Sequence, residues 1–267
     1  MIVFPNAKIN IGLHVVSKRP DGYHNLETIF YPVKLADALE MAETGNADIT
    51  FSGLPVEGDP RDNLVIKACE FLREDYKLPP VQFHLHKVIP TGAGLGGGSS
   101  DAAFTLKMLN RHFKLNLSVE QLKEYAVRLG ADCSFFIDNK PAYAEGIGER
   151  LYPADIDLSD YHIVLIKPDV SVSTVQAYRN VVPARPQFNL KELSAVPVEN
   201  WKDVVVNDFE KSIFPQFPEI QKWKEKLYQW GALYASMSGS GSAVFGIFRH
   251  LPADLENKIP DGVFFSR

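Results

Sequence analysis

The stretch PTGAGLGGGSS, residues 90–100, holds five glycines in the seven positions from 92 to 98. Such a run lets the backbone turn its amides inward and approach a polyanion closely. Residues 81–86 alternate like a strand, and residues 99–113 carry apolar residues at helical spacing. The sequence therefore predicts a strand, a glycine loop and a helix whose positive N-terminus binds the phosphates of a nucleotide.

The loop differs from two common phosphate-binding loops. It does not end in the Gly-Lys-Ser/Thr of a Walker A loop, and its glycines lack the Rossmann spacing. A flexible surface linker is the alternative for a glycine run, but the strand before it and the helix after it argue against a linker.

The N-terminal segment has the pattern of a hairpin. Residues 7–15 alternate with the period of a half-buried strand, which places Lys8, Asn10, Gly12 and His14 on one face. Residues 19–22 supply turn residues, and residues 23–33 resume a strand pattern. The turn should bring Tyr23 and His24 back toward the first strand.

The rest of the chain predicts a mixed α/β protein of two lobes. Helices are expected at 63–76, at 118–129 with a capping box and a glycine stop, and at 220–230, and strands at 161–166 and 243–248. Residues 183–197 hold several prolines and predict a surface connection. We place the division near residue 155, giving domains 1–154 and 155–267, with a cleft expected between them.

Composition excludes several classes of function. The 267 residues are 45% hydrophobic and 23% charged, and a net charge of -5 exerts no general pull on nucleic acid or anionic lipid. Neither a nucleic-acid nor a membrane partner is therefore expected, and residues 1–7 lack a signal-peptide pattern. The two cysteines belong to no paired motif, so we expect a cytoplasmic protein without a disulfide framework.

Three ordered motifs, residues 5–10, 90–100 and 236–241, resemble those of the GHMP kinases, the family named for galactokinase, homoserine kinase, mevalonate kinase and phosphomevalonate kinase. The resemblance runs over nearly the whole chain and is weakest between about residues 180 and 205. It implies an α/β (α+β) fold of two lobes, with a ribosomal-protein-S5-like N-terminal lobe and a ferredoxin-like C-terminal lobe. It also implies ATP as phosphoryl donor, with Mg²⁺.

Within the family, residues 8–13, 19–24 and 130–132 resemble the members that phosphorylate diphosphocytidyl-methylerythritol. That resemblance implies ATP-dependent phosphorylation of the 2-hydroxyl of this substrate, in the non-mevalonate route to isoprenoid precursors. Cys133 and Ser134 stand where many relatives carry valine and proline, a departure that touches packing beside Asp132 but not its carboxylate.

The resemblance gives Asp132 the role of general base toward the substrate hydroxyl. Lys8 would orient Asp132 and neutralise charge on the reacting oxygens. Taken alone, an aspartate after Gly-Ala also fits a helix N-cap, and a lysine on a strand fits a solvated edge.

The same carry-over assigns the substrate pocket. Tyr23 and His24 would hold the cytosine ring, Asn10 the methylerythritol part, and Phe30 the cytidine pocket. On residue type alone, Tyr23 is a cross-strand packing residue and His24 a surface histidine.

ATP is assigned to the loop and to two residues outside it. Asn63 and Lys87 would meet the adenine end, although a helix cap and an exposed strand lysine are equally open readings. The phosphate-binding residues would be Pro90, Thr91, Gly92, Ala93, Gly94, Leu95, Gly96, Gly97, Gly98, Ser99 and Ser100. Ser99 or Ser100 would offer a hydroxyl to Mg²⁺. Residues 236–241 fit either a second phosphate or substrate wall or a simple turn.

Some alternatives remain open. His84 and His86 have the i, i+2 spacing of two metal ligands but lack an evident third. A diphosphomevalonate decarboxylase or another GHMP kinase would not need the cytidine-binding segment 20–24. An RNA-binding module shares the N-terminal fold, but a net charge of -5 with no basic stripe argues against it. Monomer and homodimer are both compatible with the sequence.

Overall fold

Three four-stranded sheets carry the fold of residues 1–43 and 48–267, which are the residues described by the computed structural model. The strands are β1 Ile2–Val3, β2 Asn6–Lys18, β3 His24–Ala36, β4 Ala38–Glu43, β5 Asp48–Gly53, β6 Val81–Lys87, β7 Ala142–Gly146, β8 Arg150–Pro153, β9 His162–Lys167, β10 Tyr234–Met237, β11 Val244–Phe248 and β12 Phe264–Ser266.

Helices of widely different length connect these strands. The α-helices are α1 Leu64–Tyr76, α2 Gly97–His112, α3 Val119–Leu129, α4 Phe135–Asp138, α5 Thr174–Arg179, α6 Trp201–Val204, α7 Asp208–Ile213 and α8 Pro218–Gln229. Short 3-10 helices cover Pro60–Asp62, Leu190–Ala195, Val198–Asn200 and Glu256–Lys258. Among the described residues, no helix has the length and apolar character needed to cross a membrane.

The first compact unit comprises residues 1–8, 34–91 and 96–140. Its sheet has the order β1-β4-β6-β5, in which β5 runs parallel to β6 and the other pairs are antiparallel. In β6 the residues at 81, 83, 85 and 87 are buried, the alternation of a strand with one covered face. The helices α1, α2 and α3 contact one another in this unit.

The second compact unit comprises residues 9–33, 92–95 and 141–267. It contains the antiparallel sheet β10-β11-β9-β12, in which β9 and β11 are the strands predicted at 161–166 and 243–248. Its core brings Ile220, Trp223 and Leu227 of α8 together with buried residues of β9 and β11. The predicted division at residue 155 stays a prediction.

The predicted elements are present, with shifts of a few residues at their ends. The strands β2 and β3 are neighbours in the sheet β2-β3-β7-β8, as the hairpin prediction required. Asn63 caps α1, and Ser118 and Gln121 form the capping box of α3. The glycine run lies between β6 and α2, so the strand-loop-helix prediction is confirmed.

Two predictions about burial were wrong. Residues 7–15 of β2 are buried on both faces instead of one, because the polar side chains have partners inside the protein. Asn10 donates to Thr28, and His14 Nδ1 lies 3.7 Å from Asp208 Oδ2. The connection at 183–197 is not wholly on the surface either, since Leu190 and Leu193 are buried.

Candidate active site

Lys8 and Asp132 form an ion pair in the first unit. Lys8 lies on β2, and Asp132 lies in the turn between α3 and α4; Lys8 Nζ is 3.2 Å from Asp132 Oδ2. The lysine side chain is 4% exposed and the aspartate side chain 32% exposed. Ser134, not Asp132, occupies the N-cap position of α4, so the helix-cap alternative for Asp132 is wrong. The solvated-edge alternative for Lys8 is also wrong, because the lysine is buried.

The unequal exposure of the pair has a chemical consequence. A partly exposed carboxylate can meet an alcohol from solvent, whereas the buried ammonium beside it fixes the orientation of that carboxylate. The arrangement suits a base that accepts a hydroxyl proton next to a fixed positive charge.

The N-terminus of α2 lies against this pair. Gly96 precedes the helix with a left-handed φ of 72° and, in the described structure, no side chain caps the helix at this position. A Cβ on Gly96 would lie 3.1 Å from Lys8 Cγ and Cε and 3.0 Å from Phe136 Cζ. Glycine is therefore required both by the backbone conformation and by the space that Lys8 occupies. The helix terminus supplies amides and a positive dipole beside the pair of Lys8 and Asp132.

The first half of the glycine loop, residues 92–95, is held within the second unit by residues 236–243. Ser238 Oγ donates to the Gly94 carbonyl at 2.8 Å, and the Ala243 amide donates to the Ala93 carbonyl at 3.1 Å. A Cβ on Gly94 would lie 2.0 Å from the Ser238 carbonyl oxygen. Residues 236–241, which the sequence suggested to be either a phosphate or substrate wall or a simple turn, thus hold the glycine loop in place. Sequence reasoning missed this role of Ser238.

The loop residues differ in exposure. Ala93, Leu95 and Ser100 are buried, and Thr91, Gly92 and Gly98 are exposed. The others are intermediate: Pro90, Gly94, Gly96, Gly97 and Ser99. The apolar side chains therefore anchor the loop, while its most open backbone is at both ends.

The predicted residues for the methylerythritol and cytidine parts lie in the second unit. Asn10 is buried, and its Nδ2 donates to Thr28 Oγ1 at 3.0 Å, while Thr28 Oγ1 donates to the Gly12 carbonyl. Phe30 is buried in β3. Their contacts with a substrate stay predictions.

Tyr23 and His24 lie where the hairpin turn meets β3. Tyr23 is 63% exposed, so it is not a buried packing residue. The His24 ring stacks on Tyr178 with centroids 4.8 Å apart and planes 23° apart. Burial, with the charge of Lys18, lowers the pKa of His24 and favours the neutral imidazole. Sequence reasoning missed Tyr178; the capping box that starts its helix marks the helix but not the aromatic contact.

The two predicted adenine-end residues have structural partners. Asn63 Oδ1 accepts from the Val65 amide at 2.9 Å, which confirms the helix cap. Lys87 is not an exposed strand lysine: its side chain is 5% exposed and pairs with Asp37 and Asp101, neither of which the sequence singled out. Contact of Asn63 or Lys87 with adenine stays a prediction.

Metal binding was predicted only through a serine hydroxyl. Ser100 Oγ is buried and has no hydrogen-bond partner among the described residues, which is compatible with a ligand reaching it. No cluster of three or more His, Cys, Asp or Glu side chains suited to a metal occurs in residues 1–43 and 48–267. His84 and His86 instead lie within 2.9 Å of the Ser52 hydroxyl.

The departure from the family pattern at Cys133 and Ser134 is a matter of packing. Both residues are buried, and Ser134 Oγ donates to the Ala131 carbonyl at 3.4 Å. Burial raises the pKa of the Cys133 thiol to about 12, so the thiol stays protonated beside Asp132. It supplies no competing nucleophile.

The comparisons with known proteins define the class. The model for "GHMP kinases N terminal domain" matches residues 63–140, and the model for "GHMP kinases C terminal" matches residues 187–261. The chain belongs to the GHMP kinase family, as the three sequence motifs predicted.

Within that family, the similar proteins carry one name. A protein of Bacteroides thetaiotaomicron is 56% identical over 252 residues, covering 93% of this chain and 92% of the relative, and is named 4-diphosphocytidyl-2-C-methyl-D-erythritol kinase. A protein of Cytophaga hutchinsonii with the same name is 49% identical over 253 residues, covering 94% of each chain.

Solved structures agree with the fold. A crystal structure of 4-(cytidine 5'-diphospho)-2C-methyl-D-erythritol kinase has a TM-score of 0.80 and 35% identity, covering 92% of this chain and 90% of that one. The mevalonate kinase of Methanococcus jannaschii has a TM-score of 0.70 at 13% identity, covering 100% of this chain and 96% of that one. The second likeness concerns the fold alone.

Proposed function

We propose that this protein transfers the γ-phosphoryl group of ATP to the 2-hydroxyl of 4-diphosphocytidyl-2-C-methyl-D-erythritol, giving the 2-phosphate and ADP. The observation that carries the proposal is the Lys8–Asp132 pair against Gly96 at the N-terminus of α2. The names and high identities of the relatives support the choice of acceptor. The reaction belongs to the non-mevalonate route to isopentenyl diphosphate.

The proton of the acceptor hydroxyl goes to Asp132. As the new P–O bond forms and the bond to the ADP oxygen breaks, the Asp132 carboxylate takes up that proton. Lys8 keeps the carboxylate oriented and places a fixed positive charge beside the reacting oxygens. Because Lys8 is buried, no solvent reorganisation is needed to make that charge effective.

The phosphates of ATP bind at the start of α2. Amides of Gly97, Gly98 and Ser99 in the first turn can donate to phosphate oxygens, and the helix dipole favours their negative charge. Mg²⁺ bound with ATP shields the phosphate charge, and Ser99 and Ser100 are the hydroxyls nearest in sequence to offer a ligand.

The acceptor is recognised by residues of the second unit. Tyr23 and His24 hold the cytosine, with the His24 ring kept in place by its stack on Tyr178. Asn10 meets the methylerythritol part and Phe30 lines the cytidine pocket, while Asn63 meets the adenine end of ATP. We further propose that the protein works in the cytoplasm as a monomer or homodimer, without nucleic-acid or membrane partners.

A substrate panel tests the proposal. Purified protein is incubated with Mg-ATP and either diphosphocytidyl-methylerythritol, mevalonate, homoserine or galactose, and ADP release is followed. We expect turnover with the cytidine compound alone, and its loss in an Asp132→Asn variant. Faster turnover of mevalonate or homoserine would overturn the choice of acceptor while leaving the GHMP class intact.

A further inference from the structure

Two aspartates and a lysine form a buried charge cluster at the ends of the glycine loop. Lys87 Nζ donates to a carboxylate oxygen of Asp37 and, at 2.9 Å, to Asp101 Oδ2. All three side chains are buried. Removing ions from water is costly, so such a cluster persists only where each charge has close partners. The burial of this cluster at the ends of the glycine loop therefore indicates a role in holding the loop.

Asp37 fixes the start of the loop. Its Oδ1 accepts from the Val88 amide at 2.6 Å and from the Ile89 amide at 2.8 Å, immediately after β6 ends. Hydrogen bonds to an ionised carboxylate are about twice as strong as neutral ones. One carboxylate oxygen thus sets the direction in which the chain leaves the sheet and enters the loop.

Asp101 fixes the end of the loop. It lies in the first turns of α2, and Lys87 links it to Asp37. The two loop ends also meet by packing, since a Cβ on Gly97 would lie 2.9 Å from Ile89 Cγ2 and 3.2 Å from Lys87 Nζ. Lys87 and Ile89 therefore link the start of the loop to the first turn of α2.

We propose that Asp37 and Asp101 are positioning residues for ATP, which hold the first-turn amides of α2 toward the phosphates by clamping both ends of the glycine loop through Lys87. This inference rests on the proposed kinase function. A run with five glycines in seven positions has much conformational entropy to lose when a ligand orders it. Clamped ends remove part of that loss before ATP binds, which strengthens binding.

Calorimetric titration tests the clamp. At pH 8, above the pKa of Asp101, Asp37→Asn and Asp101→Asn should raise the Kd for Mg-ATP at least about tenfold, the effect of weakening one charge-assisted hydrogen bond. The Kd for the cytidine substrate should change less than about threefold, and kcat at saturating ATP should stay near that of the wild type, because neither residue touches the reacting atoms. The control is Leu72→Ala, a buried change in α1 that should lower the melting temperature but leave the ATP affinity unchanged.

Several outcomes would overturn the clamp. One is an ATP affinity equal to that of the wild type in both aspartate variants. Another is a loss of ATP affinity in Leu72→Ala as large as in the aspartate variants, because the effect would then be one of general stability. If the variants do not fold, hydrogen exchange of the wild type decides. The hydrogen-bonded amides of Val88, Ile89 and Ser100 should then exchange through a common opening and slow together when ATP is added, and independent exchange would refute the clamp. Failure of the wild type to bind ATP at all would instead refute the kinase proposal, and joint opening without ATP would still report the clamp.

Discussion

Asp132 is a carboxylate whose neighbours leave it reachable, and this defines the first prediction. Asp132→Asn keeps the size of the side chain and part of its hydrogen bonding but cannot take up a proton. We expect kcat to fall by about 10²–10⁴-fold, with the affinity for both substrates within a small factor. Single-turnover measurement of ADP formation checks this. A near-normal rate would show that another group accepts the proton.

Lys8 acts on the same step through its charge, so the second prediction concerns the pair. Lys8→Met should slow catalysis, and because Lys8 and Asp132 are 3.2 Å apart the two losses should be non-additive. The double variant Lys8→Met with Asp132→Asn should be little worse than the poorer single variant. Kinetics of the four proteins test this, and losses that multiply would mean that the residues work independently.

Single residues were predictable from sequence where a motif carries them. Lys8 and Asp132 stand in such motifs. Because the family resemblance gives both a role in the same proton-transfer step, their contact could be expected. The pairing of Lys87 with Asp37 was not predictable, because 50 residues separate them and an aspartate at a strand end has many other uses. The stack of His24 on Tyr178 joins a hairpin to a short helix far along the chain, and no local pattern encodes it.

At the scale of elements, α2 and its glycines give the third prediction. Sequence alone suggests that valine at Gly96 or Gly97 would weaken ATP binding far more than folding. The structure places Lys8 and Ile89 against these positions, so a folding cost is expected as well. Gly98 is the cleaner probe, since a Cβ there would meet only Leu64 Cδ1 at 4.0 Å.

Gly98→Ala should therefore weaken ATP binding without destabilising the protein. Alanine in a helix is more stable than glycine by roughly 0.5–1 kcal/mol, so the melting temperature should hold or rise while the methyl group obstructs close approach of the phosphates. Gly96→Ala is the matched contrast, because its left-handed φ costs about 1–2 kcal/mol and its methyl group displaces Lys8. Titration with ATP and thermal melts compare them. Unchanged ATP affinity in Gly98→Ala would remove that amide from the site.

Elements were more predictable than their surroundings. Periodicity and caps located β6, α1, α2, α3 and α8 to within a few residues, because these signals are local. The burial of both faces of β2 was not predictable, since it depends on partners such as Thr28, Asp132 and Asp208 that other elements bring. A polar side chain on a strand reads as exposed until its partner is known.

At the scale of the whole molecule, the family motifs predicted the class of fold, and the compact units of the structure are not continuous in sequence. Each compact unit takes three separate stretches, and the glycine loop itself contributes residues 92–95 to one unit and residue 96 onward to the other. Sequence patterns describe continuous segments, so a division of this kind leaves no trace in composition or linkers.

The last prediction concerns the stability of the whole fold as a function of pH. Burial raises the pKa of Asp101 to about 7, from 3.8, although Lys87 opposes the shift. Between pH 3.8 and about 7, Asp101 in the folded protein holds a proton that it has released in the unfolded chain. The contribution of Asp101 to the free energy of unfolding is therefore fully present below about pH 4 and is lost as pH rises through about 7. Asp101→Asn cannot ionise and should escape that loss. Its melting temperature relative to the wild type should therefore increase between pH 5 and pH 8. Carboxyl groups outside the cluster of Asp37, Lys87 and Asp101 titrate in both proteins and cancel in the difference. A flat or falling difference would therefore mean that Asp101 is ionised throughout and that its pairing with Lys87 outweighs its burial.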